Sequence, residues 1–226
     1  MSRRRASSGW SSDAAVIGFV HPGDVRAEFC TSLIATAMQG RTRIDQVIAL
    51  ESGPNISTPR NLVVRDFLDN QRAPWLLMVD TDMVFAADAL DRLIAAAHPS
   101  ERPIVGGLCY SPLGGEVYPT MYEMVEKGPN RIGFVRPATV PEDQLVRLSA
   151  TGTGFLLMHR SALERVRDHS REAAPWFREM PVGEPMALMG EDLTFCLRAG
   201  AAGIPVYVHT GVQVGHMKST MLGKVM

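Results

Sequence analysis

Asp80 and Asp82 stand one residue apart at the end of the apolar run Trp75-Leu76-Leu77-Met78-Val79. In an extended chain, residues two apart point to the same side. The two carboxylates are therefore expected to converge at the C-terminal edge of a sheet, where open α/β folds take their ligands. Like charges held that close are unfavourable unless something positive sits between or beside them. A hard divalent cation meets that need and would in turn neutralise a phosphate-bearing ligand. The triplet alone is common, and one Asp starting a turn while the other caps a helix is the plainer alternative. Its place between a strand and a helix is what gives it weight.

Three further groups carry candidate chemistry. Glu191 and Asp192 follow Gly190 and open a helical stretch; acidic residues favour a first turn in any case, but a carboxylate beside bound substrate can act as a general base. His216, in Val214-Gly215-His216-Met217-Lys218, would add an imidazole to the two carboxylates, a mixed donor set that suits Mn²⁺ better than Mg²⁺. Arg60 offers a guanidinium able to clamp a diphosphate through paired hydrogen bonds, or it is a solvated helix-surface residue. His21-Pro22-Gly23 closes the first apolar strand, where this architecture often receives a nucleotide base, or is a simple turn. Trp176 and Phe177 read as a stacking wall for an acceptor or as pins for a long loop. The chain lacks a G-x-G-x-x-G fingerprint after its first strand, a G-x-x-x-x-G-K-[ST] loop and a G-x-S-x-G elbow, which disfavours dinucleotide, P-loop and α/β-hydrolase chemistry.

The elements that must position these residues are legible from hydrophobic pattern. Strands are expected at 14–20, 46–50, 75–79, 104–108, 155–158 and 204–208. Helices are expected at 25–38, from Ser57-Thr58-Pro59 to about Asn70, at 87–97, from Ser161 to Val166 and from Glu191 to Arg198. Phe29, Leu33, Ile34 and Ala37 should line the first helix's inner side, and Leu62, Val63, Phe67 and Leu68 the second's. Thr58 and Ser161 are the expected caps. The opening βαβαβα order implies a mostly parallel sheet with right-handed crossovers. Residues 111–144 are rich in Pro and Gly and read as loops and short antiparallel strands over the site; 168–189 reads as irregular, and 214–226 as a short mobile tail.

Composition bounds the rest. The 226 residues suit one large domain, and 46% hydrophobic with 21% charged residues is ordinary for a globular chain. A net charge of −1 gives no support to a nucleic-acid surface. Cys30, Cys109 and Cys196 are dispersed without a C-x-x-C pair, which points to a reducing cytoplasm and away from a disulfide framework or zinc cluster. Met1 to Ser12 is Arg/Ser-rich and reads as a disordered tail without the apolar segment of a signal peptide, and no apolar run is long enough to span a bilayer.

The ordered set of motifs resembles nucleotide-sugar-dependent glycosyltransferases of the GT-A fold, of the family 2-like type found in bacteria and bacteriophages. The matching pieces are the His21-Pro22 exit, Pro59-Arg60-Asn61, Leu76 to Met83, Thr151-Gly152-Thr153-Gly154-Phe155, Gly190-Glu191-Asp192 and Val214-Gly215-His216. The resemblance implies one GT-A domain over 13–226. It would have a nucleotide-binding half at 13–110, an acceptor-side half at 111–218 and a tail at 219–226. It implies Asp80, Asp82 and His216 as metal ligands for Mn²⁺ or Mg²⁺, with Asp80 also near the ribose beside Thr81. His21, Pro22 and Ser52 would line the base and ribose pocket, Arg60 and Lys218 would face the diphosphate, and Glu191 and Asp192 would supply the base for the acceptor. The donor would be a UDP- or GDP-sugar. The acceptor hydroxyl is left open among a glycan, a protein, a small molecule and a modified nucleobase, in the cytoplasm of a cell or of a phage's host. A Q-x-x-R-W signature is absent after Asp192, so a single sugar addition is expected over processive synthesis. Inverting and retaining courses both stay open, as do a nucleotidyltransferase and a non-catalytic nucleotide-sugar-binding protein.

Overall fold

The computed structural model describes residues 13–128, 131–181 and 188–219. The chain begins β1 (Ala15–His21), α1 (Ala27–Gln39), β2 (Ile44–Glu51), α2 (Ser57–Asn70), β3 (Trp75–Asp80), β4 (Met83–Val84), α3 (Ala89–Ala96) and β5 (Ile104–Leu108). It continues through short strands β6 (Tyr110–Leu113), β7 (Glu116–Pro119), β8 (Met121–Gly128), β9 (Arg131–Val135), β10 (Leu145–Leu148) and β11 (Ala150–Thr151). It closes with β12 (Phe155–His159), α4 (Arg160–His169), β13 (Met180–Pro181), β14 (Leu188–Met189), α5 (Glu191–Ala201), β15 (Val206–Gln213) and β16 (Gly215–His216).

Seven strands form the central sheet in the order β10-β15-β5-β12-β3-β1-β2. Strands β2, β1, β3, β5 and β15 run one way, and β12 and β10 run the other. The mixed, mostly parallel α/β sheet expected from the sequence is therefore present. The reversal of β12 has a topological cause. β5 ends at the ligand edge, β10 runs back along β15 until Leu148 lies opposite Val206, and the chain then returns through β11 to enter β12 at the ligand edge, where Phe155 pairs with Val79. β12 thus lies antiparallel between β3 and β5.

β1, β3, β5 and β12 are buried along nearly their whole length, because helices cover both faces. Alternate residues feed two cores. Val16, Val20, Leu76 and Met78 pack with Val63 and Phe67 of α2, Leu163 of α4 and Phe195 of α5. Ile17, Leu77 and Val79 pack with Phe29 of α1 and Leu90 and Leu93 of α3. β1 and β3 pair in register to Val20 opposite Asp80, and His21 lies opposite Glu51 of β2. The last residues of three parallel strands therefore sit level at one edge.

Local details differ from the pattern reading. The inner face of α1 is Phe29, Ser32 and Thr36, while Ile34 and Ala37 face solvent; Ser32 is tolerated inside because its Oγ accepts the Phe85 N–H at 3.1 Å. Leu62 of α2 is exposed and Val64 is buried in its place. Ile56 and not Thr58 holds the N-cap position of α2, and Asn55 just before it accepts the N–H groups of Ser57 and Thr58 on Oδ1. His159 rather than Ser161 caps α4, accepting the Ser161 N–H. The last central strand reaches Gln213, past an irregularity after His209. The segment expected to be a mobile tail from 214 instead pairs Gly215 and His216 with Val84 and Met83. The tail expected at 1–12, part of the irregular 168–189 segment and residues 220–226 lie outside the described residues.

Gly18 explains how α2 comes close enough to the sheet to deliver Arg60. A Cβ built there would overlap Val63 Cγ1 of α2 and lie 3.2 Å from Leu76 Cδ1. Gly18→Ala is expected to push α2 off β1 and to lower unfolding free energy by about 1–3 kcal/mol, the usual cost of overpacking. Urea denaturation measures this, and an unchanged midpoint would contradict the close approach.

Candidate active site

At the level edge of β1, β2 and β3 lies a cavity of about 610 Å³. Pro22, Ser52, Asp80, Thr81, Asp82, His216 and Lys218 all line it, so seven residues singled out in the sequence meet there. Asp24, Val25, Arg26 and Ile56 complete much of the wall and were not among the expected residues. Arg26, at the N-cap of α1, donates from Nη2 to Ser219 Oγ at 2.9 Å; its place just after the His21-Pro22 exit was the available signal. His21 does not line the cavity. Its carbonyl accepts both the N–H and the hydroxyl of Ser52, at 2.8 and 3.2 Å, so it positions Ser52 through the backbone.

Asp82 is the negative centre of the cavity. Its Oδ2 lies 3.0 Å from His216 Nε2 and accepts from Lys218 Nζ at 2.8 Å. Partial burial works against its charge, but the hydrogen bonds from His216 and Lys218 hold the carboxyl down at about 2. The bond to Asp82 conversely raises the His216 imidazole above its ordinary range. His216 Nδ1 lies 2.7 Å from the Tyr110 carbonyl. The Tyr110 carbonyl thus orients the ring through Nδ1–H and directs Nε2 at Asp82, the kind of outer partner that orients a ligating histidine. The Met217 N–H donates to the Asp82 carbonyl at 2.8 Å, so backbone pairing brings the C-terminal segment to this carboxylate.

The expected three-residue ligand set is not gathered. Among the described residues no group of three or more His, Cys, Asp or Glu is arranged for a metal ion. Asp80 is diverted because its Oδ1 binds Arg60 Nη2 at 2.6 Å. Asp82 and His216 remain as two donors, hydrogen-bonded to each other at 3.0 Å. Asp82 and His216 are the residues that would hold a divalent cation here, and Lys218 now supplies the counter-charge to Asp82.

Arg60 is also not where a diphosphate clamp would stand. It does not line the cavity, and its side chain is 2% exposed. Its guanidinium meets three carboxylates: Asp80 through Nη2 at 2.6 Å, and Glu191 and Asp192 through Nη1 at 2.7 and 2.6 Å. Phe177 packs with its ring centroid 5.9 Å away. Burial opposes the charge on Arg60, yet Asp80, Asp192 and Glu191 together push its pKa above the ordinary range. Its partners come from the end of β3 and the first turn of α5, so the donor was found by sequence but its recipient was not.

Asp192 Oδ1 also accepts from Thr153 Oγ1 at 2.6 Å. Thr153 sits directly before β12, where the Gly154 carbonyl takes the Asp80 N–H at 3.0 Å. A Cβ at Gly154 would overlap Met83 Cε and crowd Asp80 Oδ2, so glycine permits this approach. The two aromatics expected as an acceptor wall are core residues: Trp176 Nε1 donates to the Leu163 carbonyl at 2.9 Å, and Phe177 stacks on Phe195. They pin their loop to the core.

No family model matches this chain, and neither does any curated protein. Among solved structures it is similar to A197 from STIV, at 16% identity and a TM-score of 0.60, over 91% of this chain and 86% of that one. It is also similar to GalNAc-T7, determined with UDP, GalNAc and Mn²⁺, at 9% identity and a TM-score of 0.61. That match covers 92% of this chain and 43% of the other, so this chain spans less than half of its length. At these identities the likeness defines the fold, which is GT-A-like: a mixed, mostly parallel α/β sheet with helices on both faces and small antiparallel sheets at its edge. No helix among the described residues is long and apolar enough to cross a membrane.

Burial and the neighbouring Asp192 push the Glu191 carboxyl above its ordinary range; Arg60 opposes them and Asp80 adds to them. A carboxyl whose folded pKa is raised contributes stability below its unfolded pKa and loses it as pH rises through the folded value. Relative to the wild type, Glu191→Gln is therefore expected to gain stability as pH is raised from about 4.5 toward neutrality. Denaturant titrations of both proteins across that window test this; a difference independent of pH would count against the crowding of Glu191.

Proposed function

We propose that this chain is a metal-dependent glycosyltransferase that moves one sugar from a nucleoside-diphosphate sugar to an acceptor hydroxyl. The observation that carries the reading is the Asp82–His216 pair with Lys218, gathered in a cavity at the strand edge of a GT-A-like fold. A cavity of about 610 Å³ falls in the range of small-ligand sites. The reading also draws on GalNAc-T7, whose structure holds UDP, GalNAc and Mn²⁺. UDP or GDP with Mn²⁺ or Mg²⁺ are the donor nucleotides and cations to test first.

Pro22 and Ser52 flank the base and ribose, with Asp80 and Thr81 at the ribose and sugar end. A divalent cation held by Asp82 and His216 supplies charge stabilisation for the departing diphosphate. Lys218 adds a second positive charge there, and such stabilisation is worth several kcal/mol in a water-poor site. Asp192 takes the proton of the acceptor hydroxyl as its oxygen bonds to the anomeric carbon, and the bond from that carbon to the diphosphate oxygen breaks with its electrons leaving on the nucleotide. This is the inverting course, with one carboxylate as base.

Asp82→Ala is expected to weaken Mn²⁺-dependent UDP or GDP binding at least 10–100-fold, roughly the loss that even outer-shell partners of a metal ligand produce. Unchanged affinity in calorimetry would overturn the metal assignment. Asp192→Asn is expected to lower kcat by about 10²–10⁴-fold with nucleotide Kd unchanged; near-normal turnover would remove Asp192 as the base. Release of a nucleoside diphosphate from a panel of nucleotide sugars with Mn²⁺ tests the activity itself. Pyrophosphate released from a nucleoside triphosphate would replace this reading with nucleotidyl transfer.

A further inference from the structure

Behind the donor cavity, Thr153 and Arg60 meet on one oxygen of Asp192. Thr153 is 0% exposed and Arg60 2%, and both hydrogen bonds are 2.6 Å long. A solvated carboxylate turns freely and offers either oxygen. Here Oδ1 carries two short charge-assisted bonds, while Oδ2 takes none among the described residues. The Asp192 side chain is 33% exposed and Glu191's is 16%, so Asp192 is the more accessible of the pair. The same guanidinium holds Asp80, which does line the cavity.

We propose that Arg60 and Thr153 are positioning residues: they clamp Oδ1 of Asp192 so that Oδ2 faces the acceptor hydroxyl, and Arg60 ties that base to Asp80 on the donor side. The assignment rests on the glycosyl-transfer reading above. Neither residue touches the donor. Their effect is on the orientation of the proton acceptor relative to the anomeric carbon, and a displacement of about 1 Å there can cost on the order of 10²-fold in rate.

The experiment measures kcat, donor KM and calorimetric Kd for UDP or GDP with Mn²⁺ in the wild type, Thr153→Val, Thr153→Ser and Arg60→Lys. Thr153→Val keeps the side-chain shape and replaces the hydroxyl that meets Asp192 with a methyl group. It is expected to lower kcat about 10-fold or more, with KM and Kd within about twofold, and Thr153→Ser is expected to restore most of the rate. Arg60→Lys keeps a charge but not the fork and is expected to lower kcat by about 10²-fold; because Arg60 also holds Asp80 of the cavity, the Kd criterion is read from the Thr153 variants. Losses in KM or Kd with kcat retained would make these donor-binding residues and overturn the proposal. A Thr153→Ser variant as slow as Thr153→Val would also overturn it, because packing and not the hydroxyl would then be responsible. If Arg60→Lys does not fold, the two Thr153 variants decide alone. A folded wild type that turns over no nucleotide sugar would overturn the glycosyl-transfer reading and this assignment with it; its signature, a silent wild type, differs from that of slow variants of an active enzyme.

Discussion

A guanidinium taken almost wholly out of water needs matching charge and hydrogen bonds, and Arg60 finds them through Nη1 and Nη2 on carboxylates from two separate elements, with Nε left without a partner among the described residues. Removing one side of such a buried cluster typically costs about 3–5 kcal/mol, because the other side is left unpaired. The ends of β3 and α5 are therefore fixed relative to each other through α2. Much else serves this contact: Gly18 lets α2 approach the sheet, the Asn55 side chain accepts the first N–H groups of α2, and Phe177 packs against the guanidinium.

With Asp80 committed to Arg60, the two aspartates at the end of β3 do different work. The intervening Thr81 puts them on one edge, yet Asp80 turns inward to a permanent cation while Asp82 faces the cavity with His216 and Lys218. A permanent partner makes Asp80 a structural link between two regions. The groups around Asp82 come from the C-terminal segment, which backbone pairing with β4 carries back across the molecule. Asp80 binds the framework through Oδ1 while still lining the cavity, and Asp82 faces it with His216 and Lys218.

The same edge also receives the chain's most irregular region. β5 ends at this edge and β12 starts from it, which sets β12 antiparallel to β3 and β5. Thr153 and Gly154 lie at that re-entry point. Antiparallel pairing of β12 with β3 sets Phe155 opposite Val79, so the residues just before β12 fall level with Asp80. The hydroxyl on Asp192 is thus a consequence of strand direction.

Much of the architecture was legible in the sequence because it follows from local periodicity. The buried strands at Ala15–His21, Trp75–Asp80 and Ile104–Leu108 are continuous apolar runs with turn residues at their ends, and the α/β class follows from their alternation with helices. The chemical groups Asp80, Asp82, Glu191, Asp192 and His216 were legible as types at strand and helix ends. Pairing across the molecule was not, since Arg60 lies 132 residues from Asp192 and His216 lies 134 from Asp82, and no local pattern encodes such a distance. The inner face of α1 was misread for a related reason: Ser32 is buried because a distant backbone N–H, that of Phe85, satisfies its hydroxyl. Sequence determined which residues stand at the edge of the sheet, through propensity and hydrophobic spacing. Only the tertiary structure decided which charges meet there, because burial and contact between remote elements set whether a guanidinium faces a ligand or is surrounded by carboxylates.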